Sequence, residues 1–239
     1  MLNALRSEVI KQATLRSTAV YFVLLIGSLF GPIVLLGLLD ADQFRLGEPQ
    51  PWDMLLDGFL IFAAIAVAFT ASRTTSDIKN HMTAQSFVTQ PGRWQSLCAK
   101  FVVLVGFVAV SFAVGAFLIV VAVMAFGGSV SGENLAPLFA ALAMGVSVAA
   151  VGVGFGALVR NSIVAVALPL VWLLIGETLV QAASAQYSVL EPAGKALLTQ
   201  NYMNLGGQES VGLALAVFAA WIVAFAVAGF ASNQLRDVR

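Results

Sequence analysis

Six long runs of apolar residues constrain this chain more than any other feature. They cover roughly residues 18–39, 54–71, 98–126, 135–159, 162–182 and 211–232. A helix needs about 20 apolar residues to cross the hydrocarbon core of a bilayer, and these runs are of that order. Hydrophobic residues make up 60% of the chain, charged residues make up 10%, and the mean hydropathy is +0.94. The sequence therefore predicts an all-α integral membrane protein, with six transmembrane helices in a single domain over residues 1–239.

Basic residues predict the orientation, because cytoplasmic loops of membrane proteins are enriched in Lys and Arg. Six spans place both termini on one side. If residues 1–17, residues 72–100, the turn at Arg160 and the C-terminal tail lie on that side, it holds ten of the 12 Lys and Arg. The other side keeps Arg45 and Lys195. We therefore expect a protein of the cell membrane with both termini in the cytoplasm.

The N-terminal segment, residues 1–17, has the pattern of an amphipathic helix. One helical face carries the apolar residues Leu2, Leu5, Val9 and Ala13, and the basic residues lie elsewhere around the helix. Such a helix rests in the headgroup layer of a membrane, so an interfacial helix is predicted before the first span. The alternative is a frayed basic tail.

The loop after the fifth run, residues 183–210, is long and partly apolar. Pro192 favours the start of a short helix, and Gly206-Gly207 favours its end. The apolar stripe between them consists of Leu190, Leu197, Leu198 and Tyr202. We expect short outer re-entrant helices here, which could act as a gate or as a structural cover.

Glycines spaced along the fourth run predict close helix packing. Gly152 and Gly156 form a G-x-x-x-G pair, and Gly145 lies two turns earlier. Small residues four apart let two helix backbones approach closely within a membrane.

Glu177 is a carboxylate inside the fifth run, where an ionisable group is costly. Two interpretations are open. Glu177 could be a polar point in a translocation path, or it could reach the outer interface or bond a neighbouring helix.

Residues for catalysis or metal binding are not evident in the sequence. His81 and Cys98 are the only histidine and the only cysteine, so they cannot form a zinc site. The one Gly-Lys pair, Gly194-Lys195, lacks the rest of a phosphate-binding loop. We expect a chain that is not an enzyme and that binds no cofactor or metal itself.

The polar passage Ser72–Lys100 separates the second and third runs. An acid, Asp77, is followed by the basic residue Lys79, and an apolar patch, Phe87-Val88, is followed by Pro91-Gly92-Arg93. Lys100 then lies at the start of the third run. This arrangement resembles the cytoplasmic coupling segment of type-2 ATP-binding-cassette (ABC) exporter permeases. The N-terminal helix, the tight turn at Arg160 and the loop 183–210 also resemble parts of that family.

The resemblance implies a coupling helix within residues 72–97 that contacts a separate ATPase. His81 and Met82 stand where the family often has a small residue followed by Thr. The residues implied in this contact are Asp77, Ile78, Lys79, His81, Met82, Phe87, Val88, Pro91 and Arg93.

The family also implies partners for the chain. A second permease chain, identical or related, would complete the translocation path, and two ATPase subunits would bind ATP and Mg. Membrane lipids are expected contacts and nucleic acid is not. The apolar spans favour export of a hydrophobic or amphipathic compound such as a lipid, a peptide or a drug. The alternatives are a self-contained secondary carrier, and a non-transporting membrane anchor or immunity protein.

Overall fold

The computed structural model describes residues 2–40, 44, 48–79, 93–159, 161–207 and 211–235, and this part of the chain is helical without strands. The helices in chain order are α1 (Leu2–Thr14), α2 (Arg16–Leu39), α3 (Trp52–Leu55), α4 (Phe59–Lys79), α5 (Arg93–Ala125), α6 (Ala136–Leu158), α7 (Ser162–Val171), α8 (Glu177–Gln186), α9 (Glu191–Lys195), α10 (Leu198–Gly206) and α11 (Val211–Leu235).

Among the described residues, six helices are long and apolar enough to cross a membrane. They are α2, α4, α5, α6, α11 and the continuous helix Ser162–Gln186, which joins α7 to α8 through a π-helical turn at Trp172–Gly176. The predicted all-α fold with six spans is therefore confirmed, and the chain is a multi-pass membrane protein.

The second span differs from its predicted bounds of 54–71. Its helix continues through Ser72 as far as Lys79, so the segment between spans 2 and 3 does not begin at residue 72. The helix continues through these polar residues, because their hydroxyl groups form hydrogen bonds within it. Thr74 donates to the Thr70 carbonyl at 2.8 Å, and Thr75 donates to the Ala71 carbonyl at 2.9 Å. The helix of the third span likewise begins at Arg93, and the apolar span within it at Gln95, earlier than the predicted residue 98.

The start of α4 is set by a close approach to α2. Pro32 lies inside α2 and has no backbone N–H to donate to the carbonyl of Ser28. A Cβ at Gly58 would lie 2.6 Å from that carbonyl oxygen and 3.1 Å from the Pro32 side chain. Only glycine therefore fits at this contact, and the helix proper begins at the next residue, Phe59.

Helix α6 lies at the centre of the bundle and is its most buried span. It packs most extensively on α4 and next on α11, while α2 packs on α5. Aromatic rings fill the region between α4 and α5, where Phe62 and Phe112 have ring centroids 5.7 Å apart. Lipid offers apolar contacts as good as those between helices, so this close van der Waals packing, rather than exclusion from water, holds the spans together.

The two ends of the bundle differ in chemistry. The end that holds α1, the last turns of α4 and the first turns of α5 carries Lys11, Arg73 and Lys100, and we call it the basic end. At the opposite end, Gln50 pairs with Ser129 and Ser131 through backbone hydrogen bonds of 2.8 and 2.9 Å. That contact ties the loop after α2 to the loop after α5.

Candidate functional site

Asp77 is the centre of a buried ionic cluster at the basic end. Asp77 is 6% exposed, and one oxygen of its carboxylate accepts hydrogen bonds from the ammonium groups of both Lys11 and Lys100. The three residues come from α4, α1 and α5. Removing one partner from a buried ion pair leaves an uncompensated charge, which typically costs about 3–5 kcal/mol. The cluster therefore fixes three helices to one another at one point.

A chain of hydrogen bonds extends this cluster to α2. The side-chain amide nitrogen of Gln12 donates to the Glu8 carboxylate at 3.1 Å, and the Thr18 hydroxyl donates to the side-chain oxygen Oε1 of Gln12 at 3.3 Å. Arg73 of α4 then donates to Ser17 at 2.7 Å and to Thr18 at 3.0 Å. Because Asp77 and Arg73 lie one turn apart on α4, the contacts form a closed ring through α1, α2 and α4.

The same stretch of α4 is also bonded to α6. The Thr75 hydroxyl oxygen lies 3.1 Å from the carbonyl oxygen of Gly156, and Thr75 is fully buried. A movement at the end of α4 would therefore reach α1, α2 and α5 through charged or polar side chains and α6 through this bond.

The residues implied by the family resemblance lie in different places. Asp77 is in the ionic cluster, and the structure pairs it with Lys100, the residue that opens the third span in the family pattern. Ile78 and Lys79 form the end of α4, and Arg93 begins α5, but their side chains lie outside the described part. His81, Met82, Phe87, Val88 and Pro91 all lie in residues 80–92, which are outside it as well.

Sequence reasoning missed Lys11 as a member of this site. The N-terminal segment was interpreted as a face of apolar residues with basic residues elsewhere, and that pattern does not show where a basic side chain is directed. In the structure Leu2 and Val9 are exposed, at 82% and 52%, while Ala4 and Gln12 of the same helix are buried.

The glycines of α6 lie where helices meet. A Cβ at Gly152 would overlap the Thr70 hydroxyl and lie 2.8 Å from the carbonyl oxygen of Val67, and a Cβ at Gly156 would lie 2.7 Å from that of Ala71. Gly145 is looser, with the Phe62 ring 3.3 Å from its Cβ position.

A second glycine contact lies on the other side of α6 and was not predicted. A Cβ at Gly154 would overlap the carbonyl oxygen of Phe225 in α11, and a Cβ at Gly229 would lie 3.2 Å from the Cα of Gly154. The helix is therefore closely packed on two faces, although only the face of the G-x-x-x-G pair was expected.

Glu177 is fully buried and bonds a neighbouring helix. Its carboxylate accepts hydrogen bonds from the backbone N–H of Leu198 at 3.2 Å and of Thr199 at 2.8 Å, and from the Thr199 hydroxyl. These N–H groups belong to the first turn of α10, where a negative charge is stabilised by the helix dipole. Of the two interpretations, the geometry is that of a carboxylate bonding another helix, with none of its surface open to a path.

The described part of the loop between spans 5 and 6 contains two short α-helices. Helix α9 begins at Glu191, and α10 begins at Leu198 after a turn. Trp221 of α11 donates from its indole N–H to the Ala196 carbonyl at 2.8 Å, so the turn is held against the last span. The predicted Gly206-Gly207 stop is where α10 ends.

A cavity of about 630 Å³ lies beside α10 at the opposite end of the bundle. Its wall includes Asp53, Asp57 and the Tyr202 ring, which packs on Phe59 with centroids 5.0 Å apart. Burial, together with the charges of Asp57 and Asp53, raises the pKa of Tyr202 to about 12. The two carboxylates therefore lie close enough to the phenol to disfavour its ionisation.

Metal-binding groups of three or more His, Cys, Asp or Glu residues do not occur among the described residues. A scan against protein-family models and a search of curated proteins both find no match to the chain.

Proposed function

We propose that this chain is the membrane-spanning permease subunit of a type-2 ABC exporter. It pairs with a second permease chain and is driven by two copies of a separate ATPase subunit, which bind ATP and Mg. One observation carries the proposal: the ionic cluster of Asp77, Lys11 and Lys100 joins the two helices on either side of residues 80–92 to α1. That is the place where the family receives force from its ATPase.

The cluster gives a physical route for such a force. Residues 80–92 connect the end of α4 to the start of α5 within 13 positions. A displacement imposed on this connection acts on both helix ends at once, because Asp77 and Lys100 hold them together. Lys11 passes the displacement to α1, and Thr75 passes it to α6. Separate loops without such a link would move independently of the spans.

In this proposal the basic end faces the cytoplasm and α1 lies in the headgroup layer. The exposed apolar residues of α1, among them Leu2 and Val9, support contact with lipid. Orientation is tested by cysteine labelling in a Cys98→Ser background. A cysteine placed at Gly47 or Ser188 should react from outside, and one at Ser76 or Ser232 should not; the reverse pattern rejects the orientation.

The cargo in this proposal is hydrophobic or amphipathic, and α9 and α10 act as outer re-entrant helices between spans 5 and 6. The bonded state of Glu177 favours a structural cover at this place, since the carboxylate holds α10 against α8. In a self-contained secondary carrier an ionisable group within a span would contact the cargo or the coupling ion, whereas the Glu177 carboxylate contacts the start of α10.

Docking of the ATPase is tested with Phe87→Asp, which places a charge in the proposed apolar contact and leaves the spans unchanged. The chain is expressed with an ATPase subunit encoded beside it, purified, and assayed for co-purification and ATP hydrolysis. We expect the variant to insert normally and to lose the ATPase. If an ATPase with a phosphate-binding loop is not encoded nearby, or if Phe87→Asp retains it with full hydrolysis, the contact is wrong.

Transmission through the cluster is tested separately with Asp77→Asn. This variant keeps the Phe87-Val88 patch and should still bind the ATPase through it, but it should lose the stimulation of ATP hydrolysis by the permease, because the charge that holds Lys11 and Lys100 is removed. Glu191→Gln is the matched control: it removes an acid from an exposed ion pair with Lys195 at the opposite end. Equal hydrolysis in all three proteins would refute coupling through Asp77.

A further inference from the structure

An apolar cavity of about 280 Å³ lies between α4, α6, α7 and α11, in the membrane-spanning part of the chain. Val67 and Val148 form its inner wall and are each 2% exposed, and Leu198 of α10 lines it as well. Trp172, in the π-helical turn, and Trp221 are also in the wall. The lining side chains come from five parts of the chain, so the cavity exists only in the folded bundle.

Water is a poor occupant for this cavity. A buried water needs two to four polar partners, and the lining residues here are all apolar: valine, leucine, phenylalanine, proline and tryptophan. An apolar cavity of about 150 Å³ in a soluble protein stays dry and binds benzene, so a cavity nearly twice that size has room for a longer hydrocarbon group.

The rim of the cavity reaches the outer surface of the bundle. Leu168 and Trp172 line it, yet they are 52% and 40% exposed, so part of each side chain faces outward. The helix Ser162–Gln186 that carries them is long and apolar enough to cross a membrane, where the outer surface of a single chain would meet lipid acyl chains. A hydrocarbon chain can move from the bilayer into the cavity without crossing a polar layer.

We propose that this cavity is a binding site for one acyl chain of a membrane lipid, which enters from the side at Leu168 and Trp172. Filling it supplies the van der Waals partners that the buried walls lack when it is empty. At the end of the bundle opposite the basic end, Leu198 of α10 contacts the occupant. The backbone N–H of Leu198 also donates a hydrogen bond to Glu177. The occupant and the carboxylate therefore hold the start of α10 from two sides. The site belongs to a single chain and does not depend on the proposed ATPase.

The site is tested by photo-cross-linking of the purified chain in nanodiscs. One sample contains a phospholipid with a diazirine near the end of one acyl chain, and a second contains a free diazirine-labelled alkane in unlabelled lipid. Labelled residues are identified by mass spectrometry. Occupation by lipid predicts adducts from the phospholipid on the buried residues Val67 and Val148, in addition to adducts on exposed residues that any lipid-facing surface gives.

Two variants separate the cavity from the general lipid surface. Val148→Phe, or Val151→Phe if the first does not fold, fills the cavity and should reduce adducts on Val67 at least fivefold. Val223→Phe is the matched control, because Val223 is 59% exposed on α11 and lies outside the cavity wall; its adduct pattern should be that of the parent. Adducts confined to exposed residues, adducts from the free alkane alone, or buried adducts that persist in the filled variant would each overturn the proposal.

Discussion

Replacing Gly156 with alanine should force α4 and α6 apart. The new Cβ would lie 2.7 Å from the Ala71 carbonyl oxygen and 2.9 Å from the Thr74 Cβ. Both distances are below normal contact, and the first atom is backbone, so no side-chain rotation can relieve the overlap. The helices must separate, which also stretches the 3.1 Å contact between Thr75 and the Gly156 carbonyl.

The expected loss follows from these contacts. Overpacking a close contact costs about 1–3 kcal/mol, and an interhelical hydrogen bond within a membrane contributes about 0.6 kcal/mol on average. Alanine favours the helix over glycine by up to about 1 kcal/mol, but the spans remain largely helical when they separate in detergent, so little of that gain applies. We expect the free energy of unfolding to fall by about 2 kcal/mol.

Unfolding by sodium dodecyl sulfate in mixed micelles measures this difference. Gly106→Ala is the matched control, because a Cβ there has no neighbour within 4 Å, and its stability should be unchanged or slightly higher. Gly145→Ala should lie between the two, since its Cβ would meet side chains alone, the Phe62 ring at 3.3 Å and the Phe59 ring at 4.0 Å. If Gly156→Ala unfolds at the same detergent fraction as Gly106→Ala, α4 and α6 are not in tight contact and the packing argument fails.

Three further predictions concern buried polar groups. Lys100→Met should lower the free energy of unfolding by about 3–5 kcal/mol, and Lys11→Met should lower it by less. The reason is burial: the Lys100 side chain is 7% exposed and that of Lys11 is 26% exposed. Equal losses for the two variants in the same detergent titration would contradict this ranking. Glu177→Gln replaces charge-assisted hydrogen bonds by neutral ones and should lower the free energy of unfolding by about 1–3 kcal/mol. It should also speed proteolysis near Ala196, and unchanged proteolysis would show that other contacts hold α10. The pKa of Tyr202 is raised from 10.0 to about 12, so its neutral phenol should contribute stability in full below pH 10 and lose that contribution as the pH rises through 12. The absorbance difference between the parent and Tyr202→Phe should therefore titrate with a midpoint near pH 12. If Asp57→Asn does not lower that midpoint, the charge of Asp57 does not act on Tyr202.

The fold could be predicted from the sequence where a single physical variable decided it. Apolar length alone gave the six spans, because each must match the thickness of the membrane. The helix of the second span ends at Lys79, beyond the predicted residue 71, for a different reason. Polarity was taken to mark its end, yet Thr74, Thr75 and Asp77 are buried by partners on other helices, and those partners are not visible in a local window of sequence.

The candidate site was predictable only in part. The family pattern pointed to Asp77 and Lys100, and the structure brings the two together. Lys11 was not identified because the contact joins residues 66 positions apart and leaves no periodic signal. The bonds of Glu177 likewise depend on where α10 begins; the sequence predicted the helix start near Pro192, where α9 lies, but did not predict the second start at Leu198.

Helix α6 has a consequence for how the bundle is assembled during synthesis. Gly152 and Gly156 face α4, which is made before α6, whereas Gly154 faces α11, which is made later. The first surface can therefore be completed as soon as α6 enters the membrane, and the second stays open until α11 arrives. In a Cys98→Ser background, a nascent chain halted after α8 should already protect a cysteine at Ala71 from thiol reagents.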